Sequence, residues 1–256
     1  MRIEDVDTPR VIKHSDSRIL RDIESFGLYW DGEVDYQSQQ FDYYESIIQD
    51  LLDRNFCYAC SCSRRYLKSL EVDRSEFGLI YPGLCRDKKL SPDNQVIRID
   101  TQEAGIPSFV DLHYGTTNLD IHTQVGDFIL KRADGIYAYH LAVVLDDFRQ
   151  GINQIVRGAD LLKITCLHIF LQQSLKLPTP EYLHIPLVMN EQGKKLSKQF
   201  GAKALDMNKK SELLTQALIF LDQQIEPGSE HAQVEQILNH AVANWDVNCL
   251  PKETLD

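Results

Sequence analysis

The sequence predicts an α/β chain in which a nucleotide-binding type of domain is split by a cysteine-rich insertion. Strand-like runs alternate with helix-period segments on both sides of residues 56–92. Residues 56–92 keep no sustained period, contain Gly78, Pro82 and Gly83, and hold four of the six cysteines. The chain has 256 residues, 43% hydrophobic and 25% charged, which is enough apolar material for one large or two modest cored domains. That balance excludes collagen-like, low-complexity and disordered chains. The longest apolar run, 137–145, is too short to span a bilayer and contains His140. With no basic-then-apolar leader, the expected setting is cytoplasmic, away from any membrane.

The elements follow in order. Arg2 and Ile3 read as a strand end running into the acidic turn Glu4, Asp5 and Asp7. A helix follows with Ser15 or Asp16 as cap, Ile19, Leu20, Ile23 and Phe26 on one face, and Gly27 as stop. Residues 40–54 form a second helix, with Tyr44, Ile47, Ile48, Leu51 and Leu52 on one side. After Val96 the segments VIRID, PSFVDLHYG, TTNLDIH and DFILKR read as short strands. GIYAYHLAVVLDDF is expected to pass from strand to helix, and GINQIVRGAD to be a strand ending in a loop. LLKITCLHIFLQQSL reads as an apolar helix, and EYLHIPLVMN as a strand before the loop EQGKKLSKQ. Residues 204–256 are helical by pattern. Leu213, Leu214, Ala217, Leu218, Phe220 and Leu221 cluster on one face, and a last helix carries Val234, Ile237, Leu238 and Ala241.

The cysteines stand at 57, 60, 62, 85, 166 and 249. Four within one short stretch, in a chain without a secretion signal, favour a metal over disulfides. Zinc takes four N or S ligands in a tetrahedron. Cys60 and Cys62, two apart on a strand, project to one side, and Cys85 adds a third thiolate from across the loop. The fourth position is open. On residue chemistry alone Cys57 is the choice, because a thiol ionises more readily than a phenol. A set of buried free thiols is the plainer alternative.

The loop G-K-K-L-S-K-Q gathers lysines after a strand, an arrangement able to wrap a triphosphate, although surface loops are often lysine-rich. Glu4 and Arg157 fall at strand ends, where an open α/β sheet binds its ligands. A carboxylate for an ammonium and a guanidinium for a carboxylate suit an amino acid; equally, the two could form a structural ion pair. Lys and Arg total 27 against 38 Asp and Glu, a net charge of −11. That makes the chain a poor general binder of nucleic acid, so RNA contact must use local patches such as Arg64–Arg65 and Lys209–Lys210.

Taken in order, RIEDVDTPR, LYWDG, YAYHLAVVLDD, IVRGAD, YLHIPLVMN and KKLSKQ resemble the glutamyl-tRNA synthetase catalytic core of the class I aminoacyl-tRNA synthetases. More closely, they resemble the short glutamyl-Q tRNA(Asp) synthetases, which lack an anticodon-binding domain. The resemblance covers essentially the whole chain. It implies a split Rossmann-type class I catalytic domain: residues 1–55 as part of the first half, 56–125 as a zinc-containing acceptor-type insertion, 126–203 as the second half with the lysine loop, and 204–256 as a helical end. It implies that glutamate is activated by ATP with Mg and passed to queuosine in tRNA(Asp), by a monomer. Glu4, Tyr139 and Arg157 match glutamate contacts. Lys195, Leu196, Ser197, Lys198 and Gln199 match the Lys-Met-Ser-Lys-Ser loop, with Lys198 as the catalytic, ATP-contacting lysine. Cys60, Cys62, Tyr81 and Cys85 match the structural zinc set, so here the resemblance prefers Tyr81 to Cys57.

In one respect the sequence departs from the family. Relatives begin with a strand and helix bearing a His-Ile-Gly-His-type ATP signature, and no such segment occurs here. The chain opens on the strand after that unit, as a truncated member would. The expectation is poor solubility and weak glutamate-dependent ATP–pyrophosphate exchange. The alternatives are the catalytic part of an ordinary glutamyl-tRNA synthetase and a non-catalytic, zinc-bearing RNA-binding remnant.

Overall fold

The computed structural model describes residues 1–190, 193, 195–196 and 204–252. β1 (Arg2–Ile3) leads through α1 (Ser15–Ser25) to its parallel partner β2 (Asp35–Tyr36), and α2 (Phe41–Asp53) follows. β3 (Cys57–Cys60) then passes through α3 (Arg64–Ser69) and the hairpin of β4 (Arg74–Ser75) and β5 (Gly78–Leu79) to β6 (Val96–Ile99). A second hairpin, β7 (Ser108–Asp111) and β8 (Gly115–Asn118), precedes the single turn α4 (Ile121–Gln124) and β9 (Ile129–Lys131). The remaining elements are α5 (Tyr139–Arg149), β10 (Gln154–Gly158), α6 (Thr165–Leu175), β11 (Glu181–Ile185), α7 (Lys210–Phe220) and α8 (Val234–Ala243).

The strands combine across sequence. β3, β6 and β9 form an antiparallel sheet with β6 in the middle. β10 and β11 run parallel with Arg157 opposite His184, and β11 pairs in parallel with β7, which carries β8 outward. Thus β9, from residues 126–203, closes a sheet begun by β3, while β7 and β8, from residues 56–125, extend the parallel pair. The cover for these sheets comes from the two most fully buried helices. α5 buries every residue from Leu141 to Asp147, and α6 buries Thr165 to Gln172. A helix apolar around most of its circumference is stable only when neighbours surround it. α2 adds Tyr44, Ile48 and Leu51 to the same core at the expected helical spacing.

Several local expectations change. His14, with φ of 63°, is the cap residue of α1; Ser15 and Asp16 lie inside the helix. Asp16 instead favours the first turn through the helix dipole and accepts from the Tyr36 hydroxyl at 2.9 Å. TTNLDIH is strand only as far as Asn118, because the Asp120 carboxylate accepts from the Thr123 amide at 3.1 Å and starts α4. Residues 135–138 form no strand beyond a single bridge between Lys131 and Tyr137: Gly135, at φ 87°, turns the chain directly into α5. In α7 only Thr215 is buried, the apolar face being half covered. Among the described residues no helix is long and apolar enough to cross a membrane.

Candidate functional site

A cleft of about 490 Å³ opens at the ends of β1 and β10. Its lining includes Glu4, Tyr139 and Arg157, so three residues separated by up to 153 positions in sequence (157 − 4) meet in one place. β1 delivers Glu4, the first turn of α5 delivers Tyr139, and β10 delivers Arg157. Arg2 also lines the cleft and ties its acidic side together, reaching Asp147 at 2.7 Å and Glu4 at 3.1 Å. Burial raises the Asp147 carboxyl, with the Arg2 guanidinium acting against that rise. Burial also raises the Tyr139 phenol, and the nearby Arg157 charge pulls it partly back.

Arg157 has no carboxylate partner among the described residues. The structural ion pair with Glu4 is therefore not formed; Glu4 is paired with Arg2. Neutral acceptors surround the guanidinium instead. Its Nε donates to His184 Nε2 at 3.2 Å, and its Nη2 reaches Thr165 Oγ1 at 2.6 Å and His168 Nδ1 at 3.2 Å. A cleft that offers carboxylates on one side and, on the other, a guanidinium in no direct ion pair among the described residues fits a zwitterionic amino acid with a further acidic group.

The lysine loop is described only in part. Lys195 bridges to Met189 and its Nζ reaches Asp160 Oδ2 at 2.5 Å, and the Leu196 amide donates to the Val188 carbonyl at 2.8 Å. Lys195 and Leu196 therefore lie beside the strand end that carries Arg157. Ser197, Lys198 and Gln199 lie outside the described residues.

A second cluster sits apart from the cleft. The sulfurs of Cys60, Cys62 and Cys85 all lie within 4.8 Å of one another. Cys62 and Cys85 are 3.5 Å apart, and the Tyr81 hydroxyl is 3.1 Å from the Cys60 sulfur and 3.5 Å from that of Cys62. Zn–S bonds of about 2.3 Å in a tetrahedron set ligand sulfurs about 3.7 Å apart, so the three thiols and the phenol match the size of such a site. Burial pushes the Cys85 thiol up, but hydrogen bonds from Tyr81 and the Ser61 amide outweigh it and bring the thiol down to about 6. Cys62 is pushed up to about 11, chiefly by burial. One thiolate is thus ready at neutral pH, and the other donors lose their protons as a cation binds.

Cys57 does not join this cluster. Its thiol faces the main core, 3.9 Å from the Ile48 carbonyl, and burial pushes it up to about 12. The physical reason is parity: residues 57 and 60 are three apart on β3, so their side chains leave opposite faces. The strand also ends at Cys60, so Cys62 reaches the cluster from the following loop and not by strand alternation. Tyr81 is held by a close backbone approach. A Cβ at Gly126 would stand 2.5 Å from the Tyr81 carbonyl oxygen, and Gly126 also adopts φ of 70°. Arg98 lies over the Tyr81 ring at 3.9 Å.

Sequence reasoning missed Arg2, Asp111, Asp147, Thr165, His168 and His184. The available signal was a lone histidine in each of the apolar runs EYLHI and TCLHIFL. Without the strand pairing nothing aimed either of them at Arg157.

The family model for the tRNA synthetases class I (E and Q), catalytic domain, matches residues 1–240. The chain is 42% identical over 255 residues to the glutamyl-Q tRNA(Asp) synthetase of Escherichia coli O6:H1, covering 100% of this chain and 80% of that protein. It is 42% identical over 254 residues to the glutamyl-Q tRNA(Asp) synthetase of Acinetobacter baylyi, covering 99% and 83%. In fold it is similar to a glutamate tRNA ligase from Elizabethkingia meningosepticum, solved in complex with its amino acid, with a TM-score of 0.75 and 22% identity. That match covers 98% of this chain, which spans 59% of the length of the ligase chain.

Proposed function

Because the chain belongs to the class I tRNA synthetases (E and Q), within the glutamyl-Q tRNA(Asp) synthetase family, we propose that this ligase activates glutamate with ATP and passes the glutamyl group to queuosine in the anticodon of tRNA(Asp). The observation that carries the reading is Arg157, a guanidinium in a cleft with no carboxylate partner among the described residues. Glu4 takes the substrate ammonium, and Arg157, beside Tyr139, takes the side-chain carboxylate. The α-carboxylate stays free to react. Its oxygen attacks the α-phosphorus of ATP, the bond to pyrophosphate breaks, and glutamyl adenylate forms. A queuosine hydroxyl then attacks the acyl carbon and AMP leaves. Lys195 to Gln199 form the ATP loop, with Lys198 stabilising charge at phosphorus and Mg accompanying the nucleotide.

In this reading Cys60, Cys62, Tyr81 and Cys85 hold one zinc. With four protein ligands and no place for water, the metal's part is to fasten the insertion. The exposed Arg64 and Arg65 stand on α3, just after this knuckle, and offer charge to RNA phosphates. A splayed single-stranded loop is the usual target of specific RNA recognition, which fits an anticodon brought to the cleft. The test uses labelled glutamate with ATP and Mg. Label should pass to tRNA(Asp) lacking its 3′-terminal adenosine, and should not pass to tRNA(Asp) made without queuosine. The reverse pattern would replace this reading with an ordinary glutamyl-tRNA synthetase.

A further inference from the structure

We propose that Asp111, His184, Thr165 and His168 are positioning residues that hold Arg157 as a carboxylate receptor, presenting only lone pairs to its guanidinium so that its charge is fixed in place without being neutralised. The proposal rests on the reading of the cleft as a glutamate site and assigns it a buried support.

Asp111 is the last residue of β7. Its side chain is fully saturated. Oδ1 accepts from the amides of His113 and Tyr114 at 3.0 and 2.9 Å, and Oδ2 accepts from the His184 amide at 3.0 Å and lies 2.7 Å from His184 Nδ1. Burial raises the Asp111 carboxyl, but these hydrogen bonds outweigh it and the net shift is downward, so the group is a carboxylate. A carboxylate accepts only, which puts the His184 proton on Nδ1 and leaves a lone pair on Nε2. That lone pair faces Arg157 Nε. The parallel register sets Arg157 directly opposite His184, while Tyr182 stacks on the His184 ring at 6.2 Å and Phe109 packs at 6.1 Å.

The second arm comes from α6. Thr165 and His168 stand three apart on one helix face and both meet Arg157 Nη2. An Arg nitrogen only donates, so His168 Nδ1 must be the acceptor and its proton sits on Nε2. Nε2 in turn lies 3.2 Å from His140 Nδ1. Burial lowers both His140 and His168, and the Arg157 charge lowers them further, which keeps both rings neutral. Nε and Nη2 are thus held from below by neutral acceptors, and the Tyr139 hydroxyl meets the same guanidinium at the mouth of the cleft.

This arrangement differs from an ion pair in its consequence for binding. An arginine neutralised by a protein carboxylate must break that pair before it takes a substrate carboxylate. An arginine held by neutral acceptors keeps its orientation and its charge together. The cost falls on the tautomers. If Asp111 carried an amide, the amide could donate to His184 Nδ1, shift the proton to Nε2 and set donor against donor at Arg157 Nε.

The test is nitrogen NMR of the full chain, with labelled histidine and arginine, together with calorimetric binding of L-glutamate. His184 should show the Nδ1–H tautomer, His168 the Nε2–H tautomer, and the Arg157 Nε–H should exchange slowly. Asp111→Asn should move the His184 proton, speed that exchange, and weaken glutamate binding by about tenfold or more. His184→Leu should weaken glutamate binding to a similar degree. His184→Gln, whose amide oxygen falls near the Nε2 position, should restore most of the affinity even though melting temperatures place both variants at similar stability. A doubly protonated or Nε2–H His184 in the unaltered chain overturns the proposal. So does His184→Leu with unchanged Arg157 exchange and unchanged affinity. Intact tautomers in a chain that binds no glutamate would leave the positioning network standing and overturn the substrate reading alone.

Discussion

At the cysteine knuckle the donor atoms of Cys60, Cys62, Tyr81 and Cys85 face one another, 3.1 to 3.5 Å apart where they touch. At the cleft, His184, Thr165 and His168 face a single cation as neutral acceptors, with no carboxylate paired to it among the described residues. At both sites the polar groups are at least partly withdrawn from water, and an unpaired charge there costs more than it does in bulk solvent. The knuckle resolves that cost by closing on itself, and a fourfold set of donors around a small space admits one ion and nothing larger. The cleft resolves it by surrounding the cation with lone pairs, which lowers the cost of burial yet keeps the charge for an incoming anion. The difference is one of geometry: the donors of one set face each other, and those of the other face a cation.

The largest effect that separates the two regions is metal loss. Cys85→Ser is expected to reduce bound zinc from one per chain to none, measured by atomic absorption, because it removes the thiol that is ionised at neutral pH. Cys57→Ser, in the other core, is expected to leave metal content unchanged. Zinc lost from Cys57→Ser and retained in Tyr81→Phe would break the comparison at its root.

Next is the acid sensitivity of the cleft side. His140 is held neutral by burial and by the Arg157 charge, with its pKa lowered from 6.5 to about 4. A folded value below the unfolded one means that the unfolded chain takes up the proton first as pH falls. Stability should therefore decline between pH 6.5 and about 4, by on the order of 3 kcal/mol. His140→Phe, which can keep the ring contact with Phe128, should reduce the overall decline by that share and leave the share of the similarly buried His168. Urea titrations of both proteins at pH 7 and pH 5 measure it, and the knuckle cancels in the difference. Equal slopes for the two proteins would remove the neutral-histidine account.

The smallest effect belongs to neither region. Lys195 and Asp160 form a half-exposed pair at 2.5 Å. Asp160→Asn should change stability by less than about 0.5 kcal/mol, since exposed pairs are screened and entropically costly. A larger loss of melting temperature would mean that the lysine loop is part of the cleft's support.

Much of the site is legible in the amino-acid sequence. The order of the motifs groups Glu4, Tyr139 and Arg157 together, and the three line one cleft. The thiol cluster is legible from spacing alone. The choice of Cys57 fails on a rule that is equally available: three residues apart on a strand means opposite faces. His14 as the cap of α1 is not legible, because a left-handed histidine before a serine leaves no sequence mark. Nor is the break of TTNLDIH into strand and helical turn, where a capping aspartate outweighs a β-branched run.

By itself the sequence determined the alternation of elements, the two enveloped helices α5 and α6, and the residue types that can hold an ion or an amino acid. Those follow from local period and side-chain chemistry, which each segment carries alone. Only the tertiary structure decided that β7 joins β11, placing Asp111 against His184 and His184 against Arg157. It also decided that Arg2 takes Glu4 and Asp147, so that Arg157 has no carboxylate partner among the described residues. The reason is that hydrogen bonds and charge pairs act over about 3 Å, and residues far apart in a chain come within that distance only through strand register and helix packing.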